Sequence, residues 1–486
     1  MLNPNTNINK MTNIKIYKSV LILLLIPVFW GCQMPGAAVR TENRSLPASY
    51  HNSQASANPA KINWKEYFTD PNLTNLIDTA LKNNQELNIV LQEIEISRNE
   101  IRAKKGEYLP SVIIRGGAGL EKEARFTRNG AVDENIDIKP GTPFPHPFSD
   151  YMVGAYASWE LDIWKKLRNA KKAQAFRYLS EIEGKNFLVT NLVAEIATSY
   201  YELMALDNLL EIIRKNIEIQ NNALQIIRQE KEAARVTQLA VNRFEAQLLN
   251  TENLQYAVLQ QITEAENRIN FLTGRFPSPI TRDSKSFNTL ETDSVYTGIP
   301  SQLLENRPDI RQAELQLAAA RLDVKVARAN FYPSFRIEAG TGFRAFNPAY
   351  LINPESILYS LAGDFMAPLI NRNAIKATYN SANARQIQAV YKYEETLLNA
   401  YIEVVNQLSR INNFAGSYQA KSRESEILAQ SVTISGNLFR SARADYMEVL
   451  LTQREALESK MELIEIKMNQ LGAKVSMYKV LGGGWN

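Results

Sequence analysis

Residues 307–343 read RPDIRQAELQLAAARLDVKVARANFYPSFRIEAGTGF, and the two periods inside this stretch decide the fold. In its first part Ala313, Leu315, Leu317, Ala320, Leu322, Val324, Val326 and Ala327 build a dense apolar helix face, broken by Glu314, Arg321 and Lys325. Tyr332-Pro333-Ser334 stops that helix, because proline lacks a backbone donor and pushes its predecessor out of the α region. Beyond it the period is two: Phe335, Ile337, Ala339, Thr341 and Phe343 alternate with Ser334, Arg336, Glu338, Gly340 and Gly342. One apolar face against one charged or glycine face, fed by a helix, fits a strand with lipid outside and water inside.

The unit occurs twice. Tyr108-Leu109-Pro110-Ser111 leads into Val112, Ile114, Gly116, Ala118 and Leu120, which alternate with Ile113, Arg115, Gly117 and Gly119. The two prolines are 333 − 110 = 223 residues apart, which implies an internal duplication. Each copy predicts a second strand after a loop. One is Tyr151 to Asp162, with Tyr151 and Trp159 placed as an aromatic girdle; the other is Ile357 to Ala367. The first loop, between Leu120 and Tyr151, reads as polar and Pro-rich.

Long helices follow each strand pair. Val189, Leu192, Ile196, Leu203, Leu206, Leu210, Ile213, Ile217, Leu224 and Ile227 keep a 3/4 spacing interrupted by Ser199 and Gln220. That is a heptad seam, on a helix on the order of 100 Å long at 1.5 Å per residue. A second helix runs from Val236 to Leu272 and ends at Thr273-Gly274. The later pair spans about Ile370 to Phe439, then a last helix with Leu450, Leu457, Met461, Ile464, Met468, Leu471 and Val475 on its seam. The methionines fall in that core stripe and carry no argument for a soft metal.

Composition excludes several functions. Fifty-five basic against 51 acidic residues leave nothing to attract nucleic acid. One cysteine, Cys32, and two histidines, His51 and His146, rule out a disulfide scaffold and argue against a His/Cys metal site or a Cys–His nucleophile. No phosphate loop or acid/base constellation is present, so no enzyme and no cofactor is expected. Lys10, Lys15 and Lys18 precede the apolar run Val20 to Trp30, which is too short to span a bilayer; this is a signal peptide over 1–31. Residues 32–60 then read as a flexible tether rich in Ala, Ser, Asn and Pro. Residues 61–274 form a first structural repeat, 275–300 a linker, and 301–486 a second repeat.

Taken together these features resemble the outer-membrane efflux proteins of the TolC-like superfamily, within it the lipoprotein outer-membrane components of resistance-nodulation-division pumps. The carrying residues are Cys32, Phe68 to Leu73, Trp159-Glu160-Leu161-Asp162, Arg307-Pro308-Asp309-Ile310, Phe331-Tyr332-Pro333-Ser334, Asp445 to Leu450, and the terminal Leu481-Gly482-Gly483-Gly484-Trp485. They span nearly the whole mature chain. The resemblance implies a mainly α fold with a membrane β-barrel contribution: four transmembrane strands per chain, a long periplasmic helical barrel, an equatorial linker, and a homotrimer sharing twelve strands. Four strands alone cannot close a barrel, and an open edge is not tolerated in lipid, which independently requires oligomers.

The resemblance also implies lipidation of Cys32, although Phe29-Trp30 replaces the usual Leu and small residue before Gly31. It implies outer-membrane localisation in a Gram-negative cell. The partners are outer-membrane lipid, a periplasmic adaptor (membrane fusion protein) and an inner-membrane transporter of the resistance-nodulation-division class. Gate candidates lie at the helix turn: Asp445 as a ring of like charge, Arg440 and Arg443 as its counter-charges, and Tyr446, with Tyr446 matching Thr237 in the first repeat. Ala442 and Ala233 occupy turn positions where the family has Gly. The role is passive conduction of small molecules delivered by the pump. A type I secretion outlet and a lipid-anchored periplasmic coiled-coil scaffold are the other readings.

Overall fold

The structure, a computed structural model, describes residues 40–50, 62–290 and 298–485; the stretch read as a signal peptide, Cys32 and His51 lie outside the described residues. The chain divides into two compact units. One comprises 1–41, 96–178 and 315–390; the other comprises 42–95, 179–314 and 391–486.

The first unit holds a four-stranded antiparallel sheet. Strands β1 (Ser111–Glu121), β4 (Phe148–Leu161), β5 (Ser334–Ala345) and β6 (Ile357–Met366) lie in that order, so β1 and β6 are edges. In register, Ser111 faces Ser158, Leu161 faces Phe335 and Ser334 faces Met366. The alternation seen in the sequence sets the two faces. Close strand approach explains two glycines: a Cβ on Gly342 would lie 2.4 Å from the Val153 carbonyl oxygen, and one on Gly154 2.9 Å from that of Thr341.

The loop read as a polar connection is partly ordered. It carries a helix, Arg128–Asn135, whose N-cap Thr127 accepts from the Gly130 N–H, and a small hairpin, β2 (Asp137–Lys139) with β3 (Thr142–Pro143). Local capping built these elements, and the proline count in the sequence hides them.

The second unit is helical. Helices α1 (Trp64–Tyr67) and α2 (Pro71–Asn83) open it. Asp70 caps α2 by accepting from the Asn72 N–H at 2.8 Å and also accepts the Tyr200 hydroxyl at 2.7 Å, which accounts for the Phe68-to-Leu73 motif. Asn84, with extended backbone, separates α2 from α3 (Gln85–Tyr108). Its amide donates to the Leu272 carbonyl and accepts from the Leu87 N–H. The long helices are α5 (Lys166–Glu232) and α6 (Gln238–Leu272), then α10 (Asn373–Arg440) and α11 (Tyr446–Val480); α4 is the loop helix Arg128–Asn135. Their lengths, 67 and 35 residues against 68 and 35, match. Between the pairs come α7 (Leu303–Asn306), α8 (Pro308–Ala329) and the short α9 (Pro348–Leu351).

The seam is the core of this unit. Leu192, Ile196, Leu203, Leu206, Leu210 and Ile213 are buried with Ile269, Leu272, Leu471 and Val475. Gln220 is buried in the same stripe, and neither end of its amide finds a partner among the described residues. An unmet buried amide costs about 1–3 kcal/mol. Gln220→Leu is therefore expected to raise the thermal unfolding temperature in detergent, read by circular dichroism at 222 nm; a fall would show that the amide is satisfied in the assembled protein.

Part of the span read as a flexible tether is held. The Asn43 N–H donates to Glu394, Arg44 pairs with Glu314 at 2.6 Å and lies over the Tyr393 ring, and buried Tyr50 stacks on Tyr401 at 5.5 Å. The segment read as a linker also packs: Phe287 is fully buried, and Arg282 bridges Asp207 and Glu266.

Candidate functional site

Two regions concentrate the features that the sequence singles out. The first is the pair of turns joining α5 to α6 and α10 to α11. In each, the helix ends in the same hydrogen-bonded motif. The Ala234 N–H donates to the Lys231 carbonyl and the Arg235 N–H to that of Glu230; the Ala442 N–H donates to Phe439 and the Arg443 N–H to Leu438. This pattern needs a left-handed residue at its hinge, usually glycine. Here it is Ala234 (φ 55°) and Ala442 (φ 55°). The matching alanine is thus Ala234, not Ala233, because the left-handed residue falls one place later. Likewise the helix-capping positions Thr237 and Asp445 correspond (445 − 237 = 208), so Thr237 matches Asp445 rather than Tyr446.

Asp445 stands at the N-cap of α11, yet its carboxylate takes no capping hydrogen bond. Within one chain it forms no ion pair with Arg440 or Arg443; Arg440 donates to Asn437 instead. Tyr446 is half-buried against Phe244, Leu224, Ile227 and Val241, together with Phe439 and Leu450. The Arg243 guanidinium reaches the Met447 sulfur at 2.6 Å. The two turns therefore pack side by side around one apolar cluster, and among the described residues the Asp445 carboxylate takes no capping bond.

The second region is the junction of strands and helices in the sheet unit. Asp162, directly after β4, accepts the N–H groups of Leu167 and Arg168 at 2.9 Å and the Arg168 guanidinium at 3.1 Å. Burial pushes its pKa up, but these donors outweigh it and hold the carboxyl below its ordinary value. Asp162 is thereby the cap of α5. Trp164, in the same turn, stacks on Tyr332 at 4.6 Å and donates to the Pro333 carbonyl at 2.7 Å. The sequence pattern did not flag this pair, because stacking between residues so far apart leaves no local signal.

Above the turns, a groove of about 900 Å³ between α5, α6 and α11 is lined by Glu202, Glu264, Glu458, Arg268, Met461 and Met468. Arg268 pairs with Glu202 at 2.7 Å, so the groove is a solvated, charge-paired face. Among the described residues no His, Cys, Asp and Glu group fit for a metal occurs, and no helix is long and apolar enough to cross a membrane. His146 lines a small surface pocket with Glu121, Glu123 and Asp133.

A family model described as outer membrane efflux protein matches residues 76–275 and 299–483. The chain belongs to that family. Efflux across the outer membrane is the role of this efflux protein. It is similar to the solvent efflux pump outer membrane protein SrpC of Pseudomonas putida, with 27% identity over 424 residues, 87% of either chain. The probable outer membrane lipoprotein SilC of Salmonella typhimurium is 23% identical over 471 residues, 96% of this chain and 98% of its own. The open-state outer membrane channel MtrE of Neisseria gonorrhoeae shares the fold: TM-score 0.81 at 20% identity, covering 93% of this chain and 98% of that one.

In this efflux protein the two motifs most specific to the resemblance meet each other. Arg307, extended between α7 and α8, grips Asp309 through two bonds of 3.0 and 2.7 Å, Glu403 at 2.7 Å and the Val480 carbonyl at 3.0 Å. The terminal glycines make that approach possible. A Cβ on Gly482 (φ 91°) would lie 2.6 Å from the Asn306 carbonyl oxygen, and one on Gly483 2.4 Å from the Tyr478 ring. Trp485 then donates to the Asn306 carbonyl while Arg311, paired with Glu183, covers its ring. The motifs are a structural clasp between the start of α8 and the end of α11.

Proposed function

We propose that this chain forms the passive exit duct of a tripartite efflux system. Three copies each contribute β1, β4, β5 and β6 to one closed transmembrane barrel, continued by a periplasmic barrel of the long helices. The observation that supports this reading is the four-stranded sheet with two unpaired edges. Val112, Ile114, Leu120, Ile357, Tyr359 and Leu361 are exposed on it, all at alternate positions. Such a surface is stable only when its edges are paired and its apolar face meets lipid. The twofold internal repeat is supported by the matched helix lengths and by left-handed residues at equivalent places: Lys165 with Asn371, Ala234 with Ala442.

Asp445, Arg440, Arg443 and Tyr446 form the periplasmic gate and the adaptor contact in this reading. Asp445 of each copy then contributes to a ring of like charge, a reading supported by its carboxylate taking no capping hydrogen bond. No reaction is catalysed; transport is driven by the inner-membrane pump, and the cargo is small molecules. Solvent efflux, named for the Pseudomonas putida relative, is the cargo class to test first. Cys32 carries a covalent lipid that anchors the mature N-terminus, as the name of the SilC relative suggests.

Deleting the gene is expected to raise susceptibility to the pump's substrates, and the full chain restores resistance. Cys32→Ala is expected to abolish incorporation of labelled palmitate while the protein still reaches the outer membrane through its strands. If the Cys32→Ala protein retains the label, the anchor lies elsewhere; if the deletion changes no susceptibility and no export, the duct reading fails.

A further inference from the structure

Within the chain, one strand–helix junction is sealed by its neighbour. The turn after β4 places Trp164 just before the left-handed Lys165, and Trp164 stacks on Tyr332, the residue before Pro333. The turn after β6 has the same construction, with Ile370 just before the left-handed Asn371. Ile370 is therefore the counterpart of Trp164 (370 − 164 = 206, as 371 − 165 = 206). The counterpart of Tyr332 is Leu109, the residue before Pro110 (332 − 109 = 223, as 333 − 110 = 223). Ile370 is 90% exposed and Leu109 46% exposed. In the sheet unit both lack the cover that their counterparts give each other.

We infer that Ile370 of one copy packs on Leu109 of the next, repeating between chains the Trp164–Tyr332 seal found within each. This rests on the shared-barrel reading and names the contact that closes it. The occupant is a second copy of this chain for three reasons. β4 pairs β5 inside the chain, and among the described residues the open edges of this sheet are those of β6 and β1. Leu109 leads into β1 and Ile370 follows β6, so pairing those edges brings both residues to the same end of the sheet. The edges also carry opposite charges on the same face near that end: Arg115, five residues after Pro110, and Asp364, four before Pro368. Asp364 already sits opposite Arg336 in the chain, so an arginine on its open side continues the alternation. An apolar contact at the strand–helix junction excludes water where barrel hydrogen bonding ends, and Trp164 does this with a bond to the Pro333 carbonyl as well.

The test is cysteine cross-linking in isolated outer membranes, using the full chain with Leu109→Cys and Ile370→Cys together and each alone, treated with a short thiol cross-linker. Covalent dimers and trimers that survive heating, seen only with the double substitution, are the expected result. A trimer that is present before heating but gives no inter-chain product overturns the seal while leaving the shared barrel standing. Absence of any trimer from the unsubstituted chain removes both. A second variant transplants the internal pair: Ile370→Trp with Leu109→Tyr is expected to shift trimer dissociation to higher temperature, and an unchanged or lower temperature contradicts the contact.

Discussion

Replacing Arg307 by Ala is expected to cost about 3 kcal/mol of stability, because it removes a buried guanidinium and leaves the partly buried Asp309 carboxylate without its partner. The guanidinium is 6% exposed and binds two carboxylates and a carbonyl. Burial alone pulls its pKa down, but Asp309 and Glu403 more than restore it, so the group stays charged and its loss leaves negative charge unbalanced. Asp309 is the more buried partner and suffers most; Glu403 is half exposed and recovers water, which keeps the estimate at the lower end of the range for buried pairs. A loss of that size lowers the folded-to-unfolded ratio by about two orders of magnitude. Arg307→Lys keeps the charge but not the two-pronged grip on Asp309, so it recovers only part. Removing Asp309 in the Arg307→Ala background is expected to cost less than the two separate losses combined. Denaturant titration of the wild type, the two single variants and the double variant forms the cycle; additive losses would mean that Arg307 and Asp309 do not act as a pair.

The second large effect separates the two faces of one strand. Leu361 and Ala362 are neighbours near the middle of β6, facing Ala339 and Glu338 on β5. Leu361 is 79% exposed and lies on the apolar face with Tyr359 and Phe365; Ala362 lies on the face with Asp364. An arginine on the lipid face near the bilayer midplane costs about 2–4 kcal/mol per chain, and the cost recurs in every copy. Leu361→Arg is thus expected to abolish assembled protein in the outer membrane and with it resistance to pump substrates. Ala362→Arg, on the face that the shared-barrel proposal turns toward water, is expected to assemble and to alter conduction only. Equal tolerance of both substitutions would mean that the sheet does not face lipid.

Much of this fold was legible because its signals are local. Pro110 and Pro333 end helices by chemistry that requires no tertiary context, and the period of two after each marks a strand. The seam from Leu192 to Ile227 is buried where its spacing placed it. The features that escaped depend on distant partners. Asn84 breaks a helix because the Leu272 carbonyl waits for its amide. Arg40 to Tyr50 reads as tether by composition, yet Tyr50 is held by Tyr401 from far along the chain. At the candidate gate, the turn was found but its hinge was placed one residue early. Glycine would have marked the left-handed position, whereas an alanine there looks like any other helix residue. Asp445 was named from resemblance, and its lack of a capping bond could be read only from coordinates. The proposed closure of the sheet has no trace in the single chain beyond two open edges.

The shared barrel is tested by the oligomeric mass of the protein in outer-membrane fractions, run with and without heating before electrophoresis. A species of three chains in the unheated outer-membrane sample, collapsing to the single chain on heating, is the expected result. A monomer or dimer recovered in the soluble periplasmic fraction would contradict the shared barrel and point to a coiled-coil scaffold.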